Sequence, residues 1–122
     1  MLDLEELIAP DRTALVTVEV QEGVVGGGSL IPELARAAEP ILPRIARPAR
    51  VARAAGVPVV HCTVDSRPDG QGANRNARLF AAMAKRPRPG PGGGLRRATV
   101  HPAVEVGDAD LIMGRLHGLS PM

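Results

Sequence analysis

Apolar and polar positions fall into blocks along this chain, and the blocks read as strand, helix, strand, helix, strand. The first is Thr13–Val20, where Ala14-Leu15-Val16-Thr17-Val18 is an apolar, β-branched run without strict alternation. Such a run predicts a parallel strand covered on both faces. Val57–Val64 is the clearest strand, and Ala109–Met113 is a short third one introduced by Gly107-Asp108. Between the first two, Ile41, Leu42, Ile45, Ala49 and Ala52 recur at three- and four-residue steps and predict a helix over Pro32–Ala55, with Gly56 as its stop. Pro48 conflicts with that helix, because an interior proline removes an amide donor and kinks the chain at a cost of about 3 kcal/mol. Pro40 and Pro43 place an alternative start near Glu39–Arg44, since proline is tolerated in a first turn. Asn74–Lys85 predicts a further helix with Leu79, Phe80 and Met83 apolar. Leu2–Ala9 reads as a short helical or irregular lead, Pro10-Asp11-Arg12 as a turn, Gln21–Leu30 and Asp65–Gly72 as loops, and Pro87–Gly94 as an irregular excursion. The alternation predicts an α/β fold with a parallel sheet and right-handed crossovers. At 122 residues the chain is expected to hold one domain at most, with 1–122 read as a partial domain.

Composition adds one constraint on the core. There is one Phe and no Tyr or Trp, so the interior is built from Ala, Val, Leu and Ile, without the aromatic anchors that dominate many cores. Charge excludes more than it suggests. The formal net charge is +2, the arginines are scattered, and no aromatic platform exists for stacking bases, so nucleic acid is not the expected partner. The single Cys62 excludes an internal disulfide and a cysteine-based zinc cluster. The acidic start Met1-Leu2-Asp3-Leu4-Glu5-Glu6 does not resemble a signal peptide. No run approaches ~18 apolar residues, so no membrane partner is expected and the cytoplasm is the expected compartment.

The chemistry concentrates where the first strand ends. Val18-Glu19-Val20-Gln21 delivers a carboxylate and an amide into Glu22-Gly23-Val24-Val25-Gly26-Gly27-Gly28, and open α/β sheets bind ligands outside the carboxyl ends of their strands. The glycines match neither a P-loop nor a Rossmann turn, so a phosphate cradle is not supported. Together with Arg53-Ala54-Ala55-Gly56-Val57-Pro58-Val59-Val60-His61, the segment resembles the isochorismatase-like cysteine hydrolases. The resemblance implies a Rossmann-like three-layer α/β sandwich with a parallel sheet, truncated here to about three strands. It also implies hydrolysis of a small-molecule amide or vinyl ether by an Asp-Lys-Cys triad.

This chain departs from that triad. The acid position holds Glu19, one methylene longer than Asp. No lysine follows the third strand, where Gly114-Arg115-Leu116-His117-Gly118-Leu119-Ser120 offers Arg115 as the nearest cation. Arginine can neutralise an anion or pair with Glu19 but does not relay protons. The family's cysteine lies on a later elbow, beyond Met122. Cys62 sits inside the second strand and reads as a small buried hydrophobe, although the neighbouring strand ends leave an encounter with Glu19 conceivable. In metal-binding relatives an Asp-x-His-Pro string supplies a ligand; here Asp65-Ser66-Arg67-Pro68 has Arg at the histidine position. His61 reads as a strand-end histidine bonded locally, and His101 and His117 are isolated in sequence. No zinc set of several converging N, S or O ligands is visible, so neither metal nor other cofactor is expected.

The resemblance therefore implies a hydrolase relative with impaired catalysis, its candidate catalytic residues Glu19 and Arg115 and its substrate contacts Gln21, Asp65 and Arg67. The alternative is a non-enzymatic binding or assembly subunit on the same fold. In either case a small-molecule substrate, a homo-oligomer or a partner chain completing the sheet are the partners to consider, because the resemblance places strand 1 at the centre of the family sheet and the truncation expected here leaves it at an open edge.

Overall fold

The computed structural model describes residues 3–67, 69–73, 76–85 and 98–116. Pro87–Gly94, His117 and Ser120 lie outside the described residues. Strands β1 (Leu15–Val18), β2 (Val59–Val64) and β3 (Leu111–Arg115) form one parallel sheet in the order β1-β2-β3. Thr17 stands opposite His61, and His61 opposite Ile112. The expected α/β alternation is present: helices α1 (Leu4–Leu7), α2 (Glu22–Val25), α3 (Pro32–Ala38), α4 (Leu42–Ala54) and α5 (Arg78–Ala84) separate or flank the strands.

The single helix expected over 32–55 is broken into α3, a 3-10 turn at Glu39–Ile41, and α4. Pro40 and Pro43 sit in the first turns of the second and third pieces, where a missing amide costs nothing. Pro48 lies within α4 without ending it. Its side chain faces solvent, so water can reach the backbone carbonyl that its missing N–H leaves unpaired. Gly56 stops α4 as expected: it takes φ +73°, its N–H donates to the Arg53 carbonyl (3.1 Å), and the Val57 N–H donates to the Ala52 carbonyl (2.9 Å). This pair of bonds is the Schellman arrangement, which favours glycine because a Cβ is strained at that φ.

One face of α4 is small and apolar. Leu42, Ala46, Ala49 and Ala52 are buried, and Ala49 and Ala52 pack with Val59, Val100 and Val104. Val59 and Val104 contribute about 1.5–3 kcal/mol each through full burial. Arg44, Arg47 and Arg50 point outward.

Strand alternation then sorts the sheet into two faces. Leu15, Thr17, Val59, His61 and Thr63 face α4. Val16, Val18, Val60, Cys62, Leu111, Met113 and Arg115 face the other way. That second face is where the structure differs from the strand expected to be covered on both sides: Val16 is 52% exposed and Val18 59%. Among the described residues no helix lies over them. The expected strand boundaries also contract. β1 ends at Val18 because Glu19 turns to φ 56°, leaving extended backbone.

Candidate active site

Two clusters of polar side chains are built on this sheet, one at its carboxyl end and one in its interior. The first joins the two residues proposed as catalytic. Glu19 follows β1, and its N–H donates to the Cys62 carbonyl (2.8 Å). Arg115 closes β3. The two strands flank β2, so the Arg115 Nη2–Glu19 Oε1 ion pair reaches across the end of β2. Both side chains are mostly shielded, at 15% and 34% exposure. Among the described residues the buried Arg115 Nε has no hydrogen-bond partner. Buried donors left unpaired are rare in folded proteins, and functional sites are one place where they persist.

The residues proposed as substrate contacts gather nearby but are differently employed. Gln21 is 1% exposed, and its amide behaves like a short strand against Val64: Nε2 donates to the Val64 carbonyl (2.7 Å), and Oε1 accepts from the Val64 N–H (2.8 Å). It fixes how β2 leaves the sheet. The Asp65 N–H donates to the Arg115 carbonyl (2.9 Å), and its carboxylate accepts from the Ser66 N–H (2.7 Å). Arg67 pairs through Nε and Nη2 with both oxygens of Asp69, further along the same loop. The glycine-rich segment folds as α2 followed by a turn, where Gly26 is needed for space: a Cβ there would lie 2.8 Å from the Glu22 Cα.

Residues 13–113 match the family model described as the isochorismatase domain. The chain belongs to the isochorismatase family. No curated protein sequence matches it. In this isochorismatase domain Glu19 and Arg115 meet at the carboxyl end of the sheet, and Cys62 is buried on β2. Among the described residues no group of three or more His, Cys, Asp or Glu side chains is placed to hold a metal ion. None of the described helices is long and apolar enough to cross a membrane.

The second cluster is one that reading the sequence misses. His61 is not a locally bonded strand-end residue; it is 1% exposed and held across the sheet. The Thr17 Oγ1 lies 2.8 Å from its Nδ1, and the Asp110 Oδ2 lies 3.0 Å from its Nε2. Arg53 donates from Nε to both Asp110 oxygens (3.0 Å each) and from Nη2 to Oδ2 (2.6 Å) and to the Glu105 carbonyl (2.7 Å). The Gly107 N–H adds a further bond to Oδ2 (2.9 Å). Hydrogen bonds from Arg53 hold the Asp110 carboxyl well below the usual range, against desolvation, which pushes it up; Gly107, His61 and the Arg53 charge add to the lowering. The carboxylate can only accept, so the proton of His61 sits on Nε2, and in the neutral ring Nδ1 accepts from the Thr17 hydroxyl. A hydroxyl, an imidazole and a carboxylate in series look like nucleophilic machinery. Burial of Thr17 and His61, and the clamp on Asp110, make them a structural tie between α4, β1, β2 and the turn before β3.

His101, isolated in sequence, also finds a local role. Its Nδ1 accepts from the Ala103 N–H (3.1 Å) and caps the turn at Pro102–Val104, while its Nε2 lies 4.0 Å from Glu22.

Proposed function

We propose that this chain is an isochorismatase-like small-molecule hydrolase relative, acting in the cytoplasm, whose catalytic step is impaired. The observation that carries the reading is the Glu19–Arg115 pair. A general base must lie within hydrogen-bond reach of the proton it removes, and here the carboxylate is engaged by a guanidinium. Arginine keeps its proton and cannot exchange it as an amine can. The thiol of Cys62 is buried within β2 rather than presented on a loop. What remains is a polar, charged rim at the sheet end, suited to holding a small polar molecule more than to turning it over.

The test is direct. The purified chain is expected to hydrolyse amide and vinyl-ether substrates no faster than buffer, and Glu19→Ala is expected to leave that background unchanged. Turnover that disappears in Glu19→Ala overturns the reading, because lost members of a catalytic set cost orders of magnitude. Elemental analysis is expected to find no stoichiometric metal, since Arg67 occupies the position where metal-binding relatives place a histidine and is itself tied to Asp69; about one zinc or iron per chain would contradict this.

The second reading, a binding or assembly subunit, is favoured by the half-exposed apolar face of the sheet. Co-purification of a cysteine-bearing partner would support assembly and reopen the enzyme reading, because that partner could supply a nucleophile beside Glu19.

A further inference from the structure

Helix α4 carries a basic groove on the side turned away from the sheet. Its buried side holds Leu42, Ala46, Ala49 and Ala52, so Arg44, Arg47, Pro48 and Val51, spaced i, i+3, i+4 and i+7, share the opposite side. They line an open groove of about 440 Å³. Pro48, Val51 and the aliphatic stems of the two arginines give it an apolar floor, while the charged heads reach water at its rim. Arg50 flanks it, and no acidic residue occurs between Leu42 and Ala54. Arg12, Arg36 and Arg67 each pair with a carboxylate of the chain. Among the described residues, Arg44, Arg47 and Arg50 form no ion pair. The groove does not depend on how far the sheet extends. Helix α4 forms the layer over one sheet face, so further strands would lie beside it rather than over its outward side.

The chain also holds a segment of the opposite character. Leu4, Leu7 and Ile8 follow i, i+3, i+4 spacing on and just after α1, and each is more than half exposed. Asp3, Glu5, Glu6 and Asp11 surround them, with Arg12 the one base of residues 3–12. Glu6 is tied to that Arg12 (2.8 Å), which leaves Asp3, Glu5 and Asp11 without a cation among the described residues. We infer that α1 of one copy docks in the α4 groove of a second copy, and the reverse, so that two chains exchange their α1 segments about a two-fold axis. Leu4, Leu7 and Ile8 lie on the apolar floor, as an amphipathic helix lies in a groove, and the free acids meet the rim arginines. Charge selects this occupant over the chain's other exposed helices: α5 carries Arg78 and no acid, and Glu33 of α3 already pairs with Arg36. One docked α1 is a small contact. Two reciprocal contacts form as one event, and the dimer depends on concentration and on salt.

Sedimentation of the full chain over a wide concentration range is expected to show a mass rising from one chain toward two. The association is expected to weaken as salt rises from ~0.1 to ~1 M, where the screening length shrinks from ~10 to ~3 Å. Arg44→Glu combined with Arg47→Glu is expected to weaken it about tenfold, the effect of losing and reversing two surface ion pairs. The circular dichroism spectrum is expected to stay unchanged, because neither side chain has a partner in its own chain to lose. Glu5→Arg is expected to weaken association as well. A chain carrying all three substitutions is expected to regain it, which a structural effect of either change would not give. A peptide with the sequence of residues 3–12 is expected to compete with the dimer, and a scrambled peptide of the same composition is not. A monomer at all concentrations, growth of the mass past two chains, no recovery in the triple variant, or equal competition by the scrambled peptide overturns the inference. So does a chain that stays monomeric and instead sediments with vesicles containing anionic lipid.

Discussion

Replacing Asp110 with alanine is expected to leave the chain largely unfolded at room temperature. The Asp110 side chain is 3% exposed and Arg53 is 23% exposed, so the change strands a mostly buried guanidinium. It also orphans the His61 Nε2–H and the Gly107 N–H. Removing one partner of a buried ion pair costs about 3–5 kcal/mol. Total stability for a domain is roughly 5–15 kcal/mol, and a core without large aromatics sits low in that range. Asp110→Asn keeps the shape and loses the charge, so it is expected to fold with reduced stability and to report on pH. Because the folded carboxyl is held below its unfolded value, the unfolded chain binds the proton more readily. The stabilisation is therefore complete above the ordinary aspartate pKa, about 3.9, and is lost as pH falls from there through the lower folded value. Thermal melts followed by circular dichroism across this window are expected to show a steeper acid loss for the natural chain than for Asp110→Asn. Parallel curves would show that the Arg53 clamp does not stabilise the fold.

Gln21→Leu is expected to be the second most damaging change. It matches the volume but leaves the Val64 N–H and C=O facing an apolar side chain, and each orphaned buried group costs about 1–3 kcal/mol. Gln21→Glu retains the acceptor for the Val64 N–H but sets a carboxylate against the Val64 carbonyl, so it too is expected to destabilise. Urea unfolding measures both. A residue that serves mainly as a substrate contact would instead leave the midpoint near that of the natural chain and alter ligand binding alone.

The order of elements was legible because it is written in local pattern: an unbroken β-branched run, three- and four-residue helical spacing, a glycine stop at Gly56. The meeting of Glu19 with Arg115 was legible too, since both end parallel strands of one sheet and such ends converge. The Thr17–His61–Asp110–Arg53 tie was not. Its bonded pairs lie 44 to 57 residues apart in sequence, and none carries a distinctive motif. A signal did exist in Val59-Val60-His61-Cys62-Thr63-Val64: a histidine inside an apolar strand must find partners, because a buried polar group without them is costly. Thr17, at the matching position of the first strand, was one of them. Exposure of Val16 and Val18 was hidden for a different reason. A continuous apolar run signals burial on both faces, but only the helices actually packed against the sheet decide which face is covered.

The alanine stripe of α4 makes the interior unusually one-sided in what it tolerates. Ala46, Ala49 and Ala52 are at most 9% exposed and have almost nothing to lose by truncation, so the damage that cores ordinarily suffer from shortened side chains does not arise along this helix. Growth is the hazard instead. Any added methylene at Ala49, which is fully enclosed, must push the helix away from the strand carrying Val59 and His61. The spacing between helix and sheet, which aligns Arg53 with Asp110, is thus guarded by the smallness of three side chains, and drift toward larger residues there would loosen the buried tie before it touched the charged rim.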